Sequence, residues 1–320
     1  MKAITDVFER RNILEPVRIG LMLHFRRIGI ELLNIIVNHD WFFRLVGLVN
    51  RWFGIVESVF IAYAANEKYA LAYGYPKRIR KQKWDPWLTG VLVQNKKLVI
   101  MFSISANEND LKDPQNVKQL NYLVNRAETL KELVSARQKT FAGILPGVLY
   151  SKRIIREVPE ADLTAAIIVQ AVEMVKKNEA LEAETPIIVL GGRGFIGRRV
   201  VKLLPKEKIY TIDLSEGQGK NGWPSYLGKR EIVLNITQNN ALFDYLKVIR
   251  PKTVVINDVY PEPTLDVLEE LWRKNCTYYH ISGVKALSIP AFPGAYKGAI
   301  PACAAWPSPK MAVVVRKINK

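Results

Sequence analysis

The feature that most restricts the fold lies near residue 190. Four apolar residues, Ile187 to Leu190, run directly into a glycine turn. Its motif, Gly192-Arg193-Gly194-Phe195-Ile196-Gly197, leads into a helical stretch that continues to Leu204. A buried strand that breaks into a glycine turn and leaves as a helix is the opening of a parallel βαβ unit. The spacing has a physical reason. Gly192 is expected to permit the tight turn, Gly194 to let a pyrophosphate approach the backbone, and Gly197 to let the helix pack closely on the strand. Amides at the helix start would then face the phosphates. A second strand, 208–213, ends in Asp213, 21 positions after Gly192. An acid at that distance accepts the ribose hydroxyls of NAD. Arg193, Arg198 and Arg199 pull the other way, so NAD is the expected cofactor and NADP is possible. The competing reading is a glycine turn that holds no dinucleotide.

Further strands are expected at 231–237, 253–260 and 278–283, with a helix over 265–274. The fold class is therefore α/β: a Rossmann-type parallel sheet in residues 181–320, preceded by a largely helical region, 1–180. Two segments carry a resemblance. Leu234-Asn235-Ile236-Thr237 resembles the Asn-x-Thr strand end of the shikimate dehydrogenase family, and Asn257 to Thr264 is similar to that family's Asp-x-Val-Tyr-x-Pro-x-x-Thr segment. Asn257 stands where the family has aspartate, and one residue is missing after Tyr260. The resemblance implies that Asn235, Thr237 and Tyr260 line a hydride-transfer site.

A second resemblance is to the long-chain acyl-carrier-protein reductases of cyanobacteria. It rests on the small-residue loop Lys139 to Gly147 and on Ala302-Cys303-Ala304-Ala305. It implies that Cys303 attacks an acyl thioester, after which hydride releases an aldehyde. A nearby cation, Lys297, would lower the thiol pKa; a buried structural cysteine is the plainer reading. Lys139 and His280 complete the catalytic candidates, His280 as a proton donor at a strand end. Residues 290–307, rich in proline and anchored by Phe292, Tyr296 and Trp306, read as a loop able to close over the site or as a surface wrap. The expected activity is NAD(P)-dependent hydride transfer to or from a carbonyl-type or acyl substrate in a cleft between the two regions. The alternative outside enzymes is a nucleotide-sensing or membrane-peripheral binding protein.

The first half is read from composition and periodicity. The formal charge is +17, with a basic cluster at 77–83, which points to an anionic partner. No nucleic-acid motif accompanies it, so nucleic acid is not expected. Two cysteines, Cys276 and Cys303, fit no zinc spacing, so no metal is expected and a cytoplasmic setting is the default. Residues 17–65 are rich in Leu, Ile, Phe and Trp but hold no uncharged run of membrane-spanning length. They read as a helical packing layer or interface of a homo-oligomer, or as a surface that lies on a bilayer. Residues 69–86 read as loop or extended chain, 90–94 and 98–103 as a hairpin about Asn95-Lys96-Lys97, and 116–137 and 162–178 as helices.

Overall fold

The computed structural model describes residues 14–64, 67–205, 208–213, 222–224, 227, 230–237, 241–260, 262–292, 296, 298–308 and 311–319. The chain divides into two compact units, 1–90 with 100–139, and 91–99 with 140–320. The division thus falls at 139/140, where the sequence suggests 180/181. Residues 140–180 group with the glycine-turn sheet because the helix over 159–178 packs on that sheet and on the helix that follows the turn.

Along the chain up to residue 141, which holds the first unit and the hairpin tip assigned to the second, α1 (Leu14–Val37) and α2 (Asp40–Phe53) precede β1 (Val56–Tyr63). Then come α3 (Glu67–Tyr73), α4 (Pro76–Lys81), the hairpin β2 (Trp87–Gln94) and β3 (Lys97–Ile104), α5 (Glu108–Lys112), α6 (Val117–Leu133) and β4 (Gln138–Phe141). The strands lie in the order β2-β3-β1-β4. This half carries more strand than its periodicity suggests. Gly54 stops α2 in the left-handed region, and β-branched Val56, Val59 and Ile61 are then all buried in β1. The segment expected as loop at 69–86 contains two short helices, the second started by Pro76 at its first turn.

Two buried asparagines tie the first helices down. Asn34 brackets the backbone of Leu88, accepting its N–H at 2.9 Å and donating to its carbonyl at 2.6 Å. Asn50 accepts from Val56 N–H at 2.6 Å and donates to the carbonyls of Val56 and Ser135. Gly47 lets α2 cross the end of α6: a methyl there would lie 2.0 Å from the Leu133 carbonyl oxygen.

The second unit begins with α7 (Leu145–Ser151) and α8 (Pro159–Asn178). The chain continues through β5 (Ile187–Leu190), α9 (Gly197–Leu203), β6 (Ile209–Ile212), β7 (Ile232–Asn235), α10 (Ala241–Tyr245), β8 (Val254–Asn257), α11 (Leu265–Arg273) and β9 (Thr277–Lys285). It closes with β10 (Leu287–Ile289), β11 (Ala299–Ile300), a short 3-10 turn (Ala302–Ala304) and β12 (Val313–Ile318). Strands β6-β5-β7-β8-β9 are parallel, in register Ile188–Tyr210, Ile188–Val233, Val233–Val255 and Val255–Tyr278. β11 and β12 add antiparallel to β9, and β10 pairs with the hairpin tip, Ile289 opposite Val91. The order 2-1-3-4-5 of the parallel strands defines a doubly wound α/β sheet of Rossmann type. Its strand order reverses between β5 and β7, the place at the carboxyl ends of the strands where sheets of this class bind ligands. β5, β7 and β8 are buried along their whole length, which is why each reads as an unbroken apolar run.

A Gly47→Ala substitution is expected to lower stability by roughly 1–3 kcal/mol, as overpacking does. Gly29→Ala, on α1, adds a methyl that meets nothing within 4 Å and is expected to be neutral or stabilising by up to about 1 kcal/mol. Urea unfolding of the two variants checks both signs.

Candidate functional site at the carboxyl edge of the parallel sheet

The glycine turn sits at the reversal of strand order. Its positive-φ residue is Gly191 (φ 84°) rather than Gly192. Gly191 lies against Thr237 at the end of β7, where an added Cβ would come within 3.0 Å of the threonine. Gly192 is required for a different reason than the turn itself, since its Cβ would meet Thr211 Cγ2 at 2.5 Å. Gly197 is the tightest: a methyl would lie 2.0 Å from the Gly191 carbonyl oxygen, so α9 can start this close to the strand only with glycine. Gly194 is exposed, and its Cβ would face only the Gly191 oxygen at 3.1 Å.

The neighbouring residues hold this turn in place. Asp213 is buried and accepts the Arg193 backbone N–H at 3.0 Å, which ties the end of β6 to the turn. The Gly194 amide is used on the Gly191 carbonyl. The Gly194 amide is thus not among the free N–H groups expected to face a phosphate. Phe195 packs on Gly147 of α7, whose Cβ would touch the ring at 3.2 Å. The same ring carries the Arg199 guanidinium at 4.3 Å from its centroid and lies 5.6 Å from Tyr150. Ile196 is half-buried beside it. α7, which holds the end of the small-residue segment, therefore faces the glycine turn.

Asn235, Asn257 and His280 share one cross-strand row on β7, β8 and β9. All three are buried. Asn235 donates to Asn257 Oδ1 at 2.7 Å and accepts from the Thr237 N–H at 3.3 Å. Asn257 donates to the Val259 carbonyl at 2.7 Å and lies 3.3 Å from His280 Nδ1. The Asn235 amide is thus committed to holding the strand ends together, whereas Thr237 is half-exposed. His280 Nε2 is buried without a hydrogen-bond partner. Burial, with a smaller push from Arg316, takes its pKa down to about 4. It stays neutral at physiological pH and does not fit the proton-donor role expected of it. Tyr260 is half-buried, its ring 4.9 Å from that of Tyr296, which in turn lies 5.6 Å from Phe292. Of the apolar anchors of residues 290–307, Tyr296 and, through it, Phe292 thus lie at Tyr260, while Trp306 is buried and hydrogen-bonded to Gln94.

Just past the end of β8 lies a group that the sequence did not single out. Asp258 follows β8 directly and is only partly exposed, and the protein around its carboxyl raises the pKa to about 8. Burial similarly pushes the Cys303 thiol up to about 12, with the negative charges of Glu160 and Asp258 adding to the effect and a Gly143 backbone hydrogen bond opposing it. Cys303, Asp258, Glu160 and Gly143 therefore form one cluster at the strand ends. Glu160, buried at the start of α8, accepts the Phe141 N–H at 3.2 Å. The thiolate required for acyl attack is disfavoured by these surroundings, which corrects the expectation of a lowered pKa. Lys297, the cation invoked for it, lies outside the described residues. Lys139 belongs to the first unit and pairs with Glu128. No group of metal-ligating side chains occurs among the described residues.

No family model and no curated protein matches the sequence. Among solved structures, the bifunctional enzyme FolD, a methylenetetrahydrofolate dehydrogenase/cyclohydrolase from Campylobacter jejuni, is similar over 75% of this chain and 85% of its own, at 14% identity and a TM-score of 0.36. The hetero-hexameric glutamate dehydrogenase from Thermus thermophilus is similar over 78% of this chain and 67% of its own, at 12% identity and the same score. Likenesses this remote carry no argument about activity.

Asp258 and His280 set opposite pH dependences. His280, depressed to about 4 from an ordinary 6.5, stabilises the fold progressively as pH rises through that window. Asp258, raised from 3.8 to about 8, is protonated in the folded protein where the unfolded chain has lost the proton, so stability falls as pH rises. The two oppose each other up to 6.5, and above it Asp258 acts without that opposition. Stability is expected to decline between pH 6.5 and 8, and Asp258→Asn to flatten the decline. Denaturant unfolding across that range checks the slope.

Proposed function

We propose that this protein is an NAD(P)-dependent oxidoreductase that exchanges hydride with a carbonyl-type substrate at the carboxyl edge of the second unit's sheet. The observation that carries this reading is the glycine turn at the reversal of strand order, where Gly192 and Gly197 have no room for a methyl and Gly194 leaves its backbone open. Fold alone would not support it. A nicotinamide cofactor supplies the hydride; the chain's own residues position the groups and manage the proton. Asp258, protonated up to about pH 8, is suited to give its proton to the carbonyl oxygen as hydride adds to the carbon, and to take it back in the reverse direction. Thr237 and Tyr260 flank the place where the substrate end of the cofactor would lie. Asp213 at the end of β6 favours the free ribose hydroxyls of NAD over the extra phosphate of NADP.

Fluorescence titration with NADH and NADPH tests the proposal. NADH is expected to bind the more tightly, and Gly194→Val to weaken it by at least about tenfold by closing the backbone approach. Once a carbonyl substrate is found, Asp258→Asn is expected to lower turnover by about 10²–10⁴-fold with cofactor binding retained. Failure of both nucleotides to bind would make the turn a structural device and end the oxidoreductase reading.

A further inference from the structure

Helices α1 and α2 are built inside out. On α1 the ionised and amide groups turn toward the first unit. Arg26 lies 4.4 Å from the Tyr73 ring centroid, and Arg27 donates to the Leu71 carbonyl. Glu31 pairs with Arg78, and Asn34 brackets Leu88. The outward stripe, Leu21, Phe25, Ile28, Leu32 and Ile35, is exposed and carries no charge. On α2, Phe43, Gly47 and Asn50 face in, while Trp41, Leu45, Leu48 and Trp52 face out, with Trp52 87% and Phe53 72% exposed. A helix in water normally does the opposite, and an apolar surface this continuous marks a docking face.

Charge identifies the occupant. Arg44 and Arg51 are exposed on α2. Lys77, Arg80 and Lys81 are exposed on α4, which is joined to α1 through Arg78 and Glu31. A second copy docked by a two-fold axis would set this same patch against itself and bring like charges together. An acidic lipid surface offers both a low-polarity layer and the opposite charge. Among the described residues no single helix is long and apolar enough to cross a membrane, and the two helices meet at 83°, a bend suited to lying in the interface. We infer that α1 and α2 seat the protein on an anionic bilayer surface, with the apolar stripes in the acyl boundary and the α2 and α4 cations at the headgroups. This inference stands independently of the dinucleotide reading.

Density-gradient flotation of the full chain tests it, with vesicles of phosphatidylcholine alone and of phosphatidylcholine mixed with phosphatidylglycerol. The chain is expected to float with the mixed vesicles, with partitioning about tenfold weaker on the neutral ones, and to be released as salt rises. Leu32→Ser/Ile35→Ser and, separately, Trp52→Ser/Phe53→Ser are each expected to lower partitioning by about tenfold or more. All four side chains are exposed, so both variants should fold, which circular dichroism would verify. A chain that stays at the bottom with both vesicle types overturns the inference, as does wild-type flotation by both variants. Equal binding to both compositions overturns the assignment of an acidic surface. A dimer in gel filtration that both variants convert to monomer, without vesicle binding, gives the face to a second copy instead.

Discussion

The second unit depends on one close approach: α9 starts so near β5 that Gly197 has no room for a methyl beside the Gly191 carbonyl. This contact fixes the angle at which the chain leaves the strand. It also pins the turn at the point where the strand order reverses, because Gly191 is itself against Thr237 of the next strand over. Phe195 is then held between Gly147 and Arg199, and Asp213 is brought under the Arg193 amide. Backbone packed this closely is a rigid platform, and rigidity is what a site for a long, jointed cofactor requires.

Desolvation sorts the polar groups at the strand ends. Three titratable side chains sit in similar surroundings, and burial acts on each in the direction its charge dictates. The imidazole of His280 loses its proton readily and stays neutral. The thiol of Cys303 keeps its proton and is a poor nucleophile. The carboxyl of Asp258 is left near neutrality, able to give or accept a proton at working pH. The chemistry is therefore assigned by environment, and the residue type that looks most reactive in isolation is the one the fold quietens.

That sorting explains what could and could not be read from the sequence. The glycine turn, its flanking strands and the acid at 213 were legible because local spacing alone encodes them. The strand over 56–63 was hidden, because the preceding helix is apolar on its outer face and the hydrophobic pattern runs on without a break; Gly54 was the one signal of the boundary. Asp258 was hidden for a different reason. It lies within a segment read for its resemblance, and its pKa is raised by burial, which sequence spacing does not reveal. Cys303 misled in the converse way: a small-residue context suggested an open nucleophile, whereas Gly143, Glu160 and Asp258 surround it. The outward apolar faces of α1 and α2 were legible as amphipathic, but which side faced in was settled only by Asn34 and Asn50.

The central claim is that the backbone of residues 191–197 receives a dinucleotide. Amide hydrogen exchange with and without NADH, read peptide by peptide, tests it most directly. The account predicts new protection confined to the turn and to the strand ends at 213 and 235–237. Exchange that is unchanged there, or protected only elsewhere in the chain, would contradict it.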